Sequence, residues 1–231
     1  MSVSSFFLST YFGSSLDSPP LDGNGDSLVF NGTSYLQYAG SPNFDPLEGD
    51  FTIEWFQWIP KSQVYGRVFS IGTYDGGGAT LAASIEDMTL YFWVDGALIS
   101  TQSSIDLQTW KHVAITREDG ILRTFVGGTM MTSQTFSNTI AANGEKDLFI
   151  GSEDGTNVNS NLIGYLSNFR YIVGSALYTG DFTPPTARLT NVSGTELLIL
   201  GRTAGNPGDD SSSPDHQPTN VGVTTIEASP F

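Results

Sequence analysis

Of the side chains in this sequence that could carry out chemistry, His112 has the most informative surroundings. It lies in "WKHVAITREDGILRTFVGG", residues 110–128, after a tryptophan and before a run of Val, Ala and Ile. An imidazole at this place can be a catalytic base, a metal ligand or a packed structural residue. Catalysis needs an orienting carboxylate and a nucleophile, and the sequence shows neither beside it. We therefore predict a hydrogen-bonded structural histidine, with Val113 and Ile115 on the opposite face of its strand.

A second group of candidates consists of oxygen ligands in predicted loops. "GTYDGGG" contains Asp75, and "GSEDGTNVNSN" contains Asp154, Asn157 and Asn159 together with a glutamate. Calcium is bound by several carboxylate, amide and carbonyl oxygens on such loops, although neither stretch has the spacing of an EF-hand. The same residue types also form ordinary turns. Calcium is thus the one candidate cofactor, and both interpretations stay open.

Aromatic side chains beside loops are candidates for glycan binding, because sugar C–H faces pack on rings while hydroxyl groups need fixed polar partners. Tyr65 and Tyr74 lie beside predicted loops, and Tyr178 lies near another. Trp55, Trp58 and Trp93 are in mid-strand and are expected in the core. The predicted ligand-binding set combines the first two tyrosines with the loop oxygen ligands: Tyr65, Tyr74, Asp75, Asp154, Asn157 and Asn159. Tyrosines packed at sheet edges are the alternative interpretation.

The other histidine, His216, lies in "PDHQP", where Asp209, Asp210 and Asp215 are close in sequence. These residues could contribute to a metal site. A polar stretch of this kind is more often a solvated loop, and we predict a loop.

Charge excludes several classes of partner. The 231 residues include 9 basic and 24 acidic side chains, which gives a formal net charge of -15. Such a surface repels phosphate backbones and anionic lipid, so we expect neither nucleic acid binding nor membrane insertion. The chain has no cysteine, which excludes disulfides and thiolate metal sites. Its opening, "MSVSSFFLSTYFGSSL", lacks the basic start and cleavage site of a secretory signal, and we expect it to be retained.

Alternating apolar residues predict strands throughout, since no stretch sustains helical spacing. "DFTIEWFQWI" places Phe51, Ile53 and Trp55 on one face of a central strand. Asn31-Gly32 and Asp95-Gly96 each predict a tight hairpin turn between two strands. Short strands with turns at this spacing predict an antiparallel sandwich or barrel.

The predicted organisation is one domain over residues 26–200 with a segment at each end. Residues 1–25 are an N-terminal arm or first strand. Residues 201–231 begin as a loop rich in Gly, Pro, Asp and Ser, and "VGVTTIEA" alternates as one more strand. Extended arms of this kind can add strands to a neighbouring subunit, so both are candidates for docking.

Four motifs in order resemble the laminin-G-like, concanavalin A-like domains: "FTIEWFQW", "WKHVAITREDGILRTFVGG", "FIGS" and "LIGYLSNFRYIVGSALYTGDFTPP". The resemblance covers residues 27–190 and implies an all-β, antiparallel two-sheet jelly-roll sandwich. Gly127 stands where the family usually has Asn or Asp before the turn glycine. The closing "ALYTGDFTPPTARLT", "ELLILG" and "ASPF" resemble the branch found in phages and large DNA viruses of aquatic microbes.

Sandwiches that resemble this one also include laminarinases and other glucanases. A retaining glucanase needs two carboxyl groups about 5 Å apart, which alternate positions on one strand face supply. Here the nearest arrangement is Glu145 and Asp147, while Glu86 and Asp87 point to opposite faces. We predict no catalytic residue.

The resemblance implies a non-catalytic structural protein at the virion surface, docked to other virion or capsid subunits and touching host glycans. The alternative is a secreted, extracellular carbohydrate-binding module of a cellular organism, and a β-glucanase is the third hypothesis. Asn31-Gly-Thr33 and Asn191-Val-Ser193 match the glycosylation pattern, which we interpret as accidental because no secretory signal accompanies them.

Overall fold

A computed structural model describes residues 18–21, 27–61, 63–72, 81–140, 146–202 and 205–231. Two antiparallel sheets face each other within this part of the chain, which confirms the all-β sandwich. The eight strands of sheet A are β1 (Ser27–Asn31), β3 (Phe51–Trp58), β8 (Lys111–Glu118), β9 (Ile121–Val126), β10 (Thr129–Thr135), β12 (Ile163–Val173), β13 (Thr195–Ile199) and β15 (Thr224–Ile226).

Sheet B contains seven described strands: β2 (Tyr35–Tyr38), β4 (Gly66–Ile71), β5 (Leu81–Glu86), β6 (Thr89–Val94), β7 (Ala97–Gln102), β11 (Leu148–Ile150) and β14 (Pro218–Val221). Their spatial order is β14-β2-β11-β4-β5-β6-β7, and the order in sheet A is β10-β9-β8-β3-β12-β1-β15, with β13 also paired to β12. Two short 3₁₀ turns, Pro42–Phe44 and Val158–Ser160, lie between strands.

The core lies between the sheets and is built by alternation along each strand. Phe51, Ile53 and Trp55 of β3 are fully buried in it, as predicted. The Trp55 ring contacts Phe69 of sheet B edge-on at 5.6 Å between centroids. Such contacts across the two inner faces fix how one sheet sits on the other.

The two predicted hairpin turns have different outcomes. Asp95 and Gly96 adopt φ of 49° and 72° and join β6 to β7, whose Val94 and Ala97 are paired, so this hairpin is confirmed. The prediction of a hairpin at Asn31-Gly32 is wrong. β1 pairs with β12 and β15 in sheet A, whereas β2 pairs with β11 and β14 in sheet B. Because β1 and β2 each bury one apolar face in the core from opposite sides, the turn carries the chain between the sheets.

The segment after residue 205 belongs to the sandwich. β14 pairs with β2 in sheet B, and β15 pairs with β1 in sheet A. One predicted strand is thus two short strands, separated by a turn at Gly222 with φ of 70°. The strands of the predicted C-terminal arm are therefore paired within the chain's own sheets, and this part of the chain does not project from the sandwich as an arm. Residues 1–17 and 22–26, most of the predicted N-terminal arm, lie outside the described residues.

One long connection, residues 174–194, crosses the outer face of sheet A between β12 and β13. The Phe182 N–H donates to the Gly128 carbonyl at 2.9 Å. Gly128 has φ of 81°, and a Cβ at this position would lie 2.0 Å from the Phe182 oxygen. Glycine is therefore required where the connection meets the β9–β10 turn.

Candidate functional site

An aromatic pair lies on the outer face of sheet B. Along β6, Leu90, Phe92 and Val94 point into the core, so Tyr91 and Trp93 point outward. Both outward rings are half-buried, with centroids 6.4 Å apart and planes at 21°. The expectation that Trp93 belongs to the core is wrong. Its strand alternates Leu90, Phe92 and Val94 with Thr89, Tyr91 and Trp93, and only the first set faces sheet A.

The neighbouring strands place polar groups beside this pair. Ser84 of β5 is paired with Tyr91 on one side and with Arg67 of β4 on the other. The indole Nε1 of Trp93 donates to Ser84 Oγ at 3.4 Å, a long hydrogen bond. The small Ser84 side chain thus lies beneath the Tyr91 and Trp93 rings and helps to orient them.

Tyr65 precedes β4 and lies on the far side of Ser84 from Tyr91. The Arg67 guanidinium lies over the Tyr65 ring at 5.4 Å, and its Nη2 bonds Glu153 Oε1 at 2.8 Å. Burial, together with the negative charge of Glu153, raises the pKa of Tyr65, although the Arg67 charge opposes this. Tyr65 therefore stays neutral at physiological pH. We call Tyr65, Tyr91 and Trp93 with Ser84 between them the aromatic face.

The predicted loop residues lie next to this face. Glu153 begins the loop, and its ion pair with Arg67 holds the loop beside Tyr65. Asp154 Oδ1 accepts from the backbone N–H groups of Thr156 and Asn157 at 2.8 and 3.0 Å. Burial raises the pKa of Asp154, but these two hydrogen bonds outweigh it, and the net pKa is lowered. The structure thus brings Tyr65 and Asp154 to one region.

Asn157 and Asn159 are exposed in the same loop, and Asn157 Oδ1 accepts from the Asn159 N–H at 3.2 Å. These contacts are those of ordinary turns. Within the described ranges, no group of three or more His, Asp or Glu side chains could hold a metal ion. Tyr74 and Asp75 lie outside the described residues, so calcium binding there stays a prediction.

His112 is buried on the outer face of sheet A in a cluster around Glu54. Its Nε2 lies 2.8 Å from Glu54 Oε2, and Tyr178 Oη donates to the same oxygen at 2.8 Å. Arg170 donates to the other oxygen through Nε at 2.9 Å and through Nη2. This confirms that His112 is a buried, hydrogen-bonded histidine. The orienting carboxylate exists, but the Tyr178 and Phe182 rings, stacked at 3.6 Å, cover the site.

Glu54 and Arg170 bring opposite charges together in this cluster. Burial raises the pKa of Glu54, but hydrogen bonding to His112 and the charge of Arg170 more than offset it, and the net pKa lies below its ordinary value. Burial and then the charge of Glu54 raise the pKa of Tyr178. An ionised Glu54 is therefore held between the Arg170 guanidinium on one oxygen and His112 and Tyr178 on the other. The cluster ties the long connection to sheet A.

The remaining candidates have structural contacts. Asp147 accepts from the Gly40 N–H at 2.8 Å and from Gln37 Nε2 at 2.5 Å, while Glu145 lies outside the described residues. His216 is half-buried with its ring 4.7 Å from that of Phe44. Asp210 accepts from the backbone N–H groups of Leu198, Ser212 and His216. The predicted loop is confirmed, since residues 211–217 form no strand or helix and most of them are exposed. The buried Asp210 carboxylate anchors this loop to β13, because it binds the backbone of both.

Comparison with known proteins identifies the family. The profile of the concanavalin A-like lectin/glucanases superfamily, of the laminin-G type, matches residues 30–177, more than half of the chain. The chain belongs to this superfamily. The match begins within β1 and ends in the long connection, so both sheets of this concanavalin A-like domain contribute to it.

Solved structures of other proteins share the fold. A candidate carbohydrate-binding protein from Bacteroides ovatus ATCC 8483 superimposes with a TM-score of 0.66 at 16% identity, over 89% of this chain and 60% of that protein. This concanavalin A-like chain thus spans less than two thirds of that relative. A heptameric SAP-like pentraxin from Limulus polyphemus gives a TM-score of 0.59 at 18% identity, over 91% of this chain and 99% of that one. No curated protein matches the sequence.

The sequence predicts only part of the aromatic face of this concanavalin A-like domain. Tyr65 was predicted as a ligand-binding residue, but Tyr91 and Trp93 were not. The signal that could have found them is the strand "TLYFWV", which has three aliphatic or phenylalanine positions alternating with a threonine, a tyrosine and a tryptophan. The residue types with a polar atom mark the outer face there.

Proposed function

We propose that the protein is a carbohydrate-binding module and that the aromatic face binds the glycan. The observation that carries this is the half-exposed, stacked pair of Tyr91 and Trp93 on an outer sheet face. Sugar rings pack their C–H faces on such side chains, and the nearby hydroxyl group of the half-buried Tyr65 is suited to a polyhydroxylated ligand. The superfamily and the Bacteroides ovatus protein, described as a candidate for carbohydrate binding, support the same class.

The charge of the site favours a neutral glycan. Arg67 is the cation beside the aromatic face, and it is buried and already bonded to Glu153. Glu86, on the same strand face as Ser84, adds negative charge. With a net charge of -15, the chain repels sulfated and uronate-rich glycans. A neutral glycan meets no such repulsion.

In this proposal the protein is extracellular, and it binds the glycan without cleaving it. A rigid sandwich that holds rings and loop groups in place gives recognition through shape and hydrogen bonds. The finer hypothesis of a virion surface protein, with capsid partners and host glycans, has no support from the relatives reported above. Gene neighbourhood separates the two: capsid or tail genes favour the virion, and glycosidase genes favour the secreted module.

The direct experiment is a glycan array with the wild-type chain, Trp93→Ala and Phe231→Ala, with and without a calcium chelator. Phe231 is a matched control because it is an exposed ring that packs on Phe56, on the other sheet. We expect binding to neutral glycans that is lost in Trp93→Ala and kept in Phe231→Ala. Equal binding by the wild-type chain and both variants, or product released from laminarin, would contradict the proposal.

A further inference from the structure

Two buried polar atoms lie beside the aromatic face without a hydrogen bond. Arg67 Nε is a donor and Asn161 Oδ1 is an acceptor, and neither has a partner within the described residues. The two residues are 3% and 4% exposed. Buried polar groups in native proteins are nearly always hydrogen-bonded, because an unpaired one keeps the full cost of losing water. A donor and an acceptor left open together therefore indicate a place for a third group.

Backbone pairing brings these two residues to one place on the outer face of sheet B. β11 ends with Ile150 opposite Phe69, and Asn161 takes up the pairing further along β4 by forming a parallel bridge with Arg67. Paired residues send their side chains to the same face of a sheet. Arg67 faces outward, since its other partner, Ser84 of β5, alternates with core residues. Asn161 therefore lies on the same outer face as Arg67.

The surroundings of the pair are held in place by bonds that leave both atoms open. Arg67 Nη2 bonds Glu153 Oε1 at 2.8 Å, which fixes the tip of the guanidinium. The Ile163 N–H donates to Gln63 Oε1 at 3.0 Å, and Gln63 Nε2 donates to the Ile163 carbonyl at 3.2 Å. These bonds tie the chain just before β4 to the chain just after Asn161. The donor and the acceptor are thus preorganised.

The cover over Arg67 is a partly exposed side chain. The Tyr65 ring lies 5.4 Å from the guanidinium and is half-buried, and the preceding Val64 is 82% exposed. Rotamer changes of exposed side chains take picoseconds to nanoseconds. A small group can therefore reach Arg67 from solvent when the Tyr65 ring turns aside.

We propose that Arg67 and Asn161 form a subsite that binds one hydroxyl group of the glycan, an inference that rests on the proposed function. A hydroxyl group both donates and accepts, so it can donate to Asn161 Oδ1 and accept from Arg67 Nε at the same time. A carboxylate only accepts and an ammonium group only donates, so neither satisfies both atoms. The chemical class that fits is a neutral polyhydroxylated ligand.

The subsite gives the glycan site selectivity that stacking alone does not supply. Ser84 is paired with Arg67 on one side and with Tyr91 on the other, so Arg67 lies two strands from Tyr91. At about 4.8 Å between strands, their Cα atoms are roughly 10 Å apart. One glycan can stack on the rings and place a hydroxyl group in the subsite. A site built to bond a hydroxyl group rejects analogues that lack it.

NMR titration of the isotope-labelled full chain with D-glucose, D-galactose and D-mannose tests the subsite at the Arg67 Nε–H signal. The signal is assigned by its loss in Arg67→Lys. We expect at least one of the three sugars to shift it saturably. Dimethoxyethane is the control ligand, because its ether oxygens accept but do not donate and leave Asn161 unpaired. Its binding should be at least about tenfold weaker.

Asn161→Asp is the deciding variant. Its carboxylate has the shape of the amide and can accept directly from Arg67 Nε, so the chain itself fills the subsite. We expect sugar affinity at this signal to fall at least about tenfold, while the free energy of unfolding in urea stays the same or rises. Asn159→Asp is the matched control, an exposed amide in the same loop, and should change neither. An asparagine with a merely structural role would lose stability and binding together.

An Arg67 Nε–H signal that none of the three sugars shifts would overturn the inference, because water alone then fills the subsite. Equal responses in the wild-type chain and Asn161→Asp would overturn it as well. The proposed function is tested separately at Trp93. Loss of glycan binding in Trp93→Ala with an unmoved Arg67 signal removes only the subsite, whereas a shifted Arg67 signal with unchanged binding in Trp93→Ala removes only the role of the aromatic pair.

Discussion

Replacing Glu54 by glutamine removes the charge at the centre of the buried cluster on sheet A. The carboxylate is fully buried and accepts hydrogen bonds from His112, Tyr178 and Arg170. Glutamine keeps the shape of the side chain, but it replaces one of the two acceptor oxygens by an N–H₂ group. That group faces hydrogen-bond donors of the cluster and cannot accept from them. Arg170 then remains as a buried charge without its counterion.

The expected loss in the free energy of unfolding is about 3–5 kcal/mol, the range for breaking a buried ion pair from one side. Glu118→Gln is the matched control, because Glu118 is 39% exposed and lies 3.5 Å from Arg123. Because the Glu118 carboxylate keeps its contact with water, we expect its loss to cost less than about 1 kcal/mol. The double variant Glu54→Met with Arg170→Met should lose less than the sum of its single variants, since it leaves no unpaired charge.

The effect of Glu54→Gln should depend on pH. The folded-state pKa of Glu54 is below its ordinary value of 4.5, so the ionised carboxylate stabilises the fold above that value. This contribution is lost as pH falls through the folded-state pKa, and the difference between wild type and variant then narrows. Urea unfolding near neutral pH and about one unit below the ordinary value measures it. A difference that is under 1 kcal/mol, or the same at both pH values, would refute the role of the cluster.

Further variants test other parts of the structure. Trp93→Ala should lower glycan affinity at least about tenfold in calorimetric titration, while the free energy of unfolding changes by under about 1 kcal/mol, since the ring lies outside the core. Arg117→Met should lower the free energy of unfolding by about 2–4 kcal/mol in urea titration, because the guanidinium is buried and donates to the carbonyls of Gly49, Leu47 and Asn138. Deleting residues 218–231 should lower Tm in calorimetry, because both sheets lose a strand; an unchanged Tm would contradict the pairing seen here. A chelator should leave glycan affinity unchanged if the aromatic face alone binds, and a loss of binding would indicate a cation.

Alternation along single strands could be predicted from sequence, because it depends on local spacing. The inward set of β3, the tight turn at Asp95-Gly96 and the sandwich class all follow from it. Alternation does not say which face is inner when both are apolar, and this is why Trp93 was misplaced. Nor does a turn signal say whether the next strand stays in the same sheet, as Asn31-Gly32 shows.

The contacts of the buried cluster could not be predicted, because they join distant parts of the chain. Glu54 is 58 residues from His112 and 124 from Tyr178. The sequence shows each residue on a strand or loop, while their meeting depends on β3 and β8 being adjacent and on the path of residues 174–194. The aromatic face likewise depends on the register of β4, β5 and β6.

In the proposed function, Tyr91 and Trp93 bind a neutral glycan on the outer face of sheet B. Isothermal titration of the wild-type chain and of Trp93→Ala, with the glycan that binds best on the array, tests it most directly. We predict saturable heat for the wild-type chain and at least about tenfold weaker binding for the variant. The same affinity in both chains would contradict the claim and place any glycan site elsewhere.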